Sequence, residues 1–265
     1  MLTNTRSDRV KAVRALSRRA VRDRTGRFVA DGPQSVREAV RWAADRVDDL
    51  YMTPDAAARH GEIVADARNA DVRLHEVSAE VLAAMSETDA PQGVVAVCRL
   101  LDVGLDEALA TVADGGFLCV LTNVRDPGNA GTVIRAADAA GADAVLVSDG
   151  SVDVHSAKVV RSTAGSTFHL PVVTDLPVEA TLDALAAHGI RTLAADGSGE
   201  VALGDVDLRD PHAWVMGNEE WGLRPEIAER CAEVVRIPIH GRAESLNLAM
   251  AATVCLYASA GVLRG

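Results

Sequence analysis

The stretches WVMGNEEWGL, residues 214–223, and IPIHGRAESLNLAMAATVCLY, residues 237–257, share one design. The first sets a short apolar run (Trp214 to Met216) directly before a Gly-rich turn, and the second completes a largely apolar run (Val234 to Ile237, with Arg236 inside it) before a polar turn. Buried parallel strands that end in functional loops read this way, since a strand covered on both faces is apolar throughout. Gly217, Asn218, Glu219 and Gly222, then Gly241, Glu244, Ser245 and Asn247, are unusual company for a plain surface turn. Two such loops at the carboxyl ends of neighbouring strands predict a ligand crevice, the position at which open α/β sheets bind their ligands.

Upstream, the same logic restarts twice. From Phe117, FLCVLTNV is a buried strand and DPGNAGTVIRAADAAGA a turn and helix, with Asn129 as a candidate N-cap. ADAVLVSDG, FHLPVVTD and RTLAADG are further strands, separated by helices in VDVHSAKVVRSTAGS and VEATLDALAAHG, and a long Ala-rich helix runs from about Ser245. Before that, residues 1–100 alternate short helices and strands: an amphipathic helix on Val10, Val13 and Leu16, then RFVADG, PQSVREAVRWAAD, DDLYMT, PDAAARHGEIVADARNA, VRLHEV, SAEVLAAMSE and GVVAVCRL. Ser78 reads as an N-cap. The expectation is an α/β chain of two domains, a smaller one over 1–100 and a parallel-sheet one over 116–265, joined by a linker over 101–115.

Composition narrows the class. The chain has 265 residues, 48% hydrophobic and 25% charged, ordinary for a globular protein. It contains no uninterrupted apolar run of about 18 residues, so no membrane span is expected, and its start lacks the apolar core of a secretion signal. Cys98, Cys119, Cys231 and Cys255 are scattered through mostly apolar segments and share no metal-ligand spacing with the seven histidines. They read as small hydrophobes of a reducing, cytoplasmic compartment, with no metal site. The net charge is −11, yet residues 1–30 hold nine basic residues against two acidic ones, a local +7 on a body of −18. A basic arm on an acidic body is a nucleic-acid signature, and equally a solvated helix face.

Neither a P-loop nor a complete dinucleotide fingerprint is present; Asp196-Gly197-Ser198-Gly199 lacks the third glycine and the helix. Arg135, within an otherwise Ala/Val/Ile helix, needs either the surface or an anion such as phosphate. GNEEWGL alone is a generic loop, and Glu244, Ser245 and Asn247 alone are a possible capping set for the last helix.

Taken together these blocks mean more. Asn129 with Arg135, GNExxGL at 217–223, and IPxxGxxESLNxxxA at 237–251 resemble, in order and spacing, the three motifs of the SpoU/TrmH branch of the SPOUT RNA methyltransferases. KVVRSTAGS at 158–166 is similar to a further block of that family, and FVADGPQSVREAV with PQGVVAV resembles its L30e-like substrate-binding domain. Glu220 stands where the family often has glycine, and Ser162-Thr163 replaces Ala-Ser. The resemblance implies a deep trefoil knot, S-adenosylmethionine as cofactor, and a homodimer whose active site draws on both subunits.

Carried onto this chain, it implies ribose 2′-O-methylation of RNA, 23S rRNA above all. Arg135 would orient and polarise the hydroxyl, Asn129 would position Arg135 or the ribose, and Glu219, Ser245 and Asn247 would order the pocket. Leu193, Ala194, Gly197, Met216, Gly217, Asn218, Ile237, Ile239, Ser245, Leu246 and Asn247 would hold the cofactor. Arg6, Arg9, Arg18, Arg19, Arg22 and Arg161 are candidate RNA contacts. A thiostrepton-type resistance methyltransferase, a tRNA methyltransferase and a non-catalytic RNA-binding or ribosome-assembly protein are the alternatives.

Overall fold

The structure is a computed structural model that describes residues 1–113 and 115–263. It divides into two compact units, one comprising Met1–Leu101 with Asp153–His169, the other Asp102–Val152 with Leu170–Gly265. A segment of 17 residues from the middle of the chain thus belongs with the first hundred.

In the first unit, α1 (Asp8–Ala15), α2 (Arg19–Thr25), β1 (Arg27–Asp31), α3 (Pro33–Trp42), β2 (Val47–Met52), α4 (Pro54–Arg59), α5 (Gly61–Asn69), β3 (Leu74–Glu76), α6 (Ala79–Met85) and β4 (Val94–Arg99) follow in order. The sheet runs β1-β4-β2-β3, with β4 antiparallel to both neighbours. Val10, Val13 and Leu16 bury the expected stripe against one face of it, with Tyr51, Val95 and Val97. The first helix ends sooner than its periodicity suggests, at Ala15, and α2 follows. PDAAARHGEIVADARNA is likewise two helices, broken at His60 (φ −120°, ψ 51°) before Gly61. Ser78 caps α6 through Val81 N, as expected.

The returning segment contributes α9 (Ala157–Ser162), shorter than expected, and packs Val160 and Phe168 into the other face. Phe168 stacks on Phe28 with ring centroids 6.1 Å apart. The Arg22 guanidinium, 4% exposed, is bound to the Asp153 carboxylate and donates to Leu16 O at 2.6 Å. A buried charge of this kind is tolerable only because both its charge and its N–H groups are met.

In the second unit, α7 (Leu105–Leu109) buries Ala108 and Leu109 in the core, inside the stretch expected to be a linker. Then come β5 (Phe117–Leu121), α8 (Pro127–Ala140), β6 (Ala144–Ser148), β7 (Val172–Leu176), α10 (Val178–Ala187), β8 (Arg191–Ala195), β9 (Val201–Ala202), β10 (His212–Met216), α11 (Pro225–Ala228), β11 (Glu233–Arg236) and α12 (Leu248–Leu263). The sheet order is β7-β6-β5-β10-β8-β11-β9, and its pairs are parallel. The two strands that feed the diagnostic loops, β10 and β11, are therefore not neighbours; β8 lies between them. Order along the chain does not reveal this, because β10 inserts between two earlier strands.

Trp214, on β10, is fully buried, and its indole N–H is met by a small polar network. The His212 Nδ1 lies 2.8 Å from Asp210 O, which can only accept, so Nδ1 carries the proton. His212 Nε2 then accepts from the Ser259 hydroxyl at 2.7 Å, and Ser259 Oγ accepts from Trp214 Nε1 at 2.9 Å. Burial holds the His212 pKa below its ordinary value. The unfolded chain protonates this histidine near about pH 6.5, the folded one only at lower pH, so the unfolded state binds more protons as pH falls below that point. Stability is therefore full above that value and declines on acidification, by at most about 1.4 kcal/mol per pH unit from this group. Urea unfolding at a series of pH values should show that decline, and the wild-type minus His212→Gln difference should isolate it.

Candidate active site

Three strand ends build the site within the second unit. A cavity of about 290 Å³ lies beyond the carboxyl ends of β8, β10 and β11, walled by residues 195–197, 216–220, and 237 with 239. Residues 244–246, approaching α12, close it, with Leu248 and Ala251 behind. The carboxyl ends of parallel strands are where open α/β sheets bind their ligands. Its walls are of two kinds: apolar at Met216, Ile237, Ile239 and Leu246, acidic at Asp196, Glu219, Glu220 and Glu244.

The 217–223 loop is built for close approach. Asn218 and Gly222 bridge through both backbone pairs, N to O at 2.9 and 3.0 Å. Gly222 sits at φ +68°, and a Cβ on Gly217 would fall 2.2 Å from the Gly222 carbonyl carbon. Asn218, buried, donates to Asn123 O at 2.7 Å and accepts from Glu220 N at 2.8 Å. Thr122 N and Oγ1 both donate to Met216 O at 2.9 Å, which ties the end of β5 to the end of β10.

From this loop Glu219 reaches the start of α8. One carboxylate oxygen accepts from Asp126 N at 3.0 Å and Asn129 Nδ2 at 3.2 Å, the other from Arg125 N at 3.1 Å. A carboxylate can only accept here, so the Asn129 amide must turn its NH2 toward it. That leaves Asn129 Oδ1 to accept from Asn247 Nδ2 at 3.1 Å. Asn247 Oδ1 in turn caps α12 by accepting from Ala249 N at 2.9 Å. The three amide and carboxylate side chains thus form one chain of oriented hydrogen bonds joining two helix starts to the loop after β10.

Comparison with known proteins shows the family. Residues 116–257 match the SpoU rRNA Methylase family. The chain belongs to the SpoU rRNA methylase family. Residues 7–96 match the MRM3-like substrate binding domain, in the position where the sequence resembles an L30e-like domain. The 23S rRNA (guanosine(2553)-2′-O)-methyltransferase RlmP of Bacillus subtilis is 31% identical over 97% of this chain and 97% of its own. The 23S rRNA (guanosine-2′-O-)-methyltransferase RlmB of Bordetella pertussis is 34% identical over 87% of this chain and 96% of its own. Among solved structures, the AdoMet-bound rRNA methyltransferase from Sinorhizobium meliloti superposes with a TM-score of 0.86 at 31% identity, covering 99% of this chain and 97% of that one.

The site residues that the resemblance implies fall into four groups. Asn129, Glu219 and Asn247 are bonded together, and Gly197, Met216, Gly217, Asn218, Ile237, Ile239, Ser245 and Leu246 line the cavity. Leu193 and Ala194 do not reach it: both are buried within β8, and the wall begins at the next residue, Ala195. Arg135 stands apart. It is exposed on α8, does not line the cavity, and makes no hydrogen bond or ion pair among the described residues. Asn129, the expected partner for it, is spent on Glu219 and Asn247. Nor is Asn129 the N-cap of α8; Asp126 is, accepting from Asn129 N at 2.7 Å, with Pro127 in the first turn. The Asp-Pro pair is itself a helix-start signal.

Of the candidate RNA contacts in the first unit, Arg6, Arg9, Arg18 and Arg19 are exposed. Arg22 departs from the expectation, because its guanidinium is committed to Asp153 inside the unit. Arg161 sits 4.0 Å from the buried Asp31 carboxylate and is only one-third exposed. Among the described residues no group of three or more His, Cys, Asp or Glu could hold a metal ion, and no helix is long and apolar enough to cross a membrane.

Proposed function

We propose that this protein is a cytoplasmic, homodimeric S-adenosylmethionine-dependent methyltransferase that acts on the ribose 2′-hydroxyl of ribosomal RNA. The observation that carries the reading is the Asn129–Glu219–Asn247 chain beside the cavity at the strand ends, in a SpoU family chain. The 23S rRNA guanosine 2′-O activities of its relatives support the substrate class and the ribose oxygen as acceptor.

The residues present fit the cofactor. Apolar Met216, Ile237, Ile239 and Leu246 suit an adenine ring, and Gly197 and Gly217 bring side-chain-free backbone to the cavity wall. Asp196, Glu219, Glu220 and Glu244 suit a molecule that carries a positive sulfonium and an ammonium. When bound, S-adenosylmethionine would supply a methyl carbon to the ribose 2′-oxygen, the C–S electron pair passing to sulfur and the hydroxyl proton to an RNA phosphate oxygen. The chain's own part is to align and to polarise. The hydrogen-bonded Asn129, Glu219 and Asn247 hold the loops that fix acceptor against donor. Arg135, a fixed cation in free solution, suits an RNA phosphate and the oxygen that loses its proton.

Arg135 is exposed and lines no part of its own cavity, and this favours the dimer. The outer face of α12 points the same way: Met250 is 57% and Tyr257 52% exposed, with Val254 beside them and Leu246 just before the helix. The opposite face buries Ala249, Ala252, Cys255 and Leu256. A helix apolar all round is normally covered all round, and a second copy of this surface is the covering that an isologous interface provides. The same reading takes the loops after β10 and β11 as threaded in a deep trefoil knot; the late insertion of β10 between β5 and β8 supports it.

Two measurements test these parts. Calorimetry should show S-adenosylmethionine binding at about micromolar affinity; no binding even with RNA present would favour a non-catalytic RNA-binding protein. Light scattering should find a dimer for the wild type and a monomer for the Met250→Glu/Tyr257→Asp variant; a monomeric wild type would remove the dimer.

A further inference from the structure

The 219–222 turn contributes to two different cavities. Glu219, Glu220 and Gly222 face the one described above, whereas Trp221 lines a second, of about 490 Å³, with Asn123, Asp149, Val178, Glu179 and Arg224. Trp221 is 50% exposed, and the Arg125 guanidinium lies over its ring, 5.9 Å from the centroid. Half of a large aromatic surface left in water, beside a cation, is an unfavourable arrangement for folding alone and a favourable one for stacking.

The platform is tied to the catalytic network. Arg125 is positioned by its backbone N–H to Glu219, the residue that also holds Asn129. The facing wall is pinned as well. Asn123 adopts φ +52°, receives Asn218 Nδ2 at its carbonyl, donates its own N–H to Ser148 Oγ at 2.9 Å and reaches Asp149 O at 3.3 Å. A non-glycine residue held at positive φ by three partners is pre-organised, not relaxed.

The charges say which part of a nucleotide enters. Arg224 is engaged by Glu179 at 3.2 Å, and Asp149 adds a second carboxylate to the lining. Such a wall repels phosphate and accepts N–H groups from the edge of a base. Arg125, at the ring, remains for a phosphate outside. We propose that this second cavity binds an unpaired RNA base next to the methylated ribose, stacked on Trp221, with Arg125 on the adjoining phosphate. The proposal rests on the reading of the protein as an RNA methyltransferase.

The test is methyl transfer to in vitro transcribed 23S rRNA by the wild type, Trp221→Ala and Trp221→Phe, with S-adenosylmethionine affinity measured on each by calorimetry. Trp221→Ala should lower kcat/KM for the transcript by about tenfold to a hundredfold, the range for loss of one base–aromatic stack. Trp221→Phe should recover most of it, and cofactor affinity should not change. An unchanged kcat/KM in Trp221→Ala, or a cofactor affinity that falls in step with activity, would overturn the site. If the wild type methylates no rRNA, the functional reading fails separately. The base site is then decided by fluorescence in a Trp42→Phe background, where Trp221 is the exposed tryptophan: quenching by the transcript supports it and unchanged emission overturns it.

Discussion

Arg135→Ala is expected to lower methyl transfer to rRNA by at least about a hundredfold, the usual cost of removing a charge aimed at a reacting oxygen, while leaving S-adenosylmethionine affinity at the wild-type value. The loss of activity rests on the role proposed above for Arg135; the unchanged affinity follows from its place. Arg135 is exposed on α8 and lines no part of the cofactor cavity, so its loss removes nothing that the cofactor touches. Nor should the variant unfold, since surface substitutions away from packed groups change stability little. A fall in cofactor affinity would place Arg135 in its own subunit's pocket. Wild-type activity would remove its role.

Gly217→Ala should have the opposite signature: cofactor binding lost by about a hundredfold or more, with the chain still folded. The added Cβ would lie 2.2 Å from Gly222 C, 2.4 Å from Leu223 N and 2.5 Å from Gly222 O. All three are backbone atoms, so no rotamer change relieves the clash, and the Asn218–Gly222 bridge must open. Opening it draws Asn218 off Asn123 and Glu219 off the turn before α8, which dismantles the wall and the hydrogen-bonded chain together. Gly204→Ala, where a Cβ meets nothing within 4 Å, is the control. Calorimetry and thermal unfolding of both variants make the check, and normal cofactor affinity in Gly217→Ala would contradict the geometry.

The two variants also test the shared site when mixed. If Arg135 acts across the interface, a heterodimer of Arg135→Ala with Gly217→Ala retains one intact cavity faced by one intact arginine. An equimolar mixture should then regain about a quarter of wild-type activity, by random pairing in a symmetric dimer. If both residues act within one subunit, no activity returns.

What was legible in the chain was local. The apolar runs that become β5 and β10, the cap at Ser78 and the capping role of Asn247 are all set by near neighbours, and the structure shows them. What was not legible depends on partners far along the chain. Arg22 looks like one more surface arginine until Asp153 is placed against it, and Asp153–His169 reads as part of the second domain until Phe168 is found on Phe28. β8 lies between β10 and β11 because of an insertion in space, to which a linear pattern is blind. The cap of α8 is different: Asp126-Pro127 carries the helix-start signal, and Asn129, three residues on, is also of a capping type.

The most direct test of the central claim is transfer from methyl-labelled S-adenosylmethionine to 23S rRNA, followed by complete alkaline hydrolysis. A 2′-O-methyl group removes the hydroxyl that cleaves the neighbouring phosphodiester, so the predicted result is label confined to alkali-resistant dinucleotides. Label released in mononucleotides, which marks methylation of a base, or no transfer at all would contradict it.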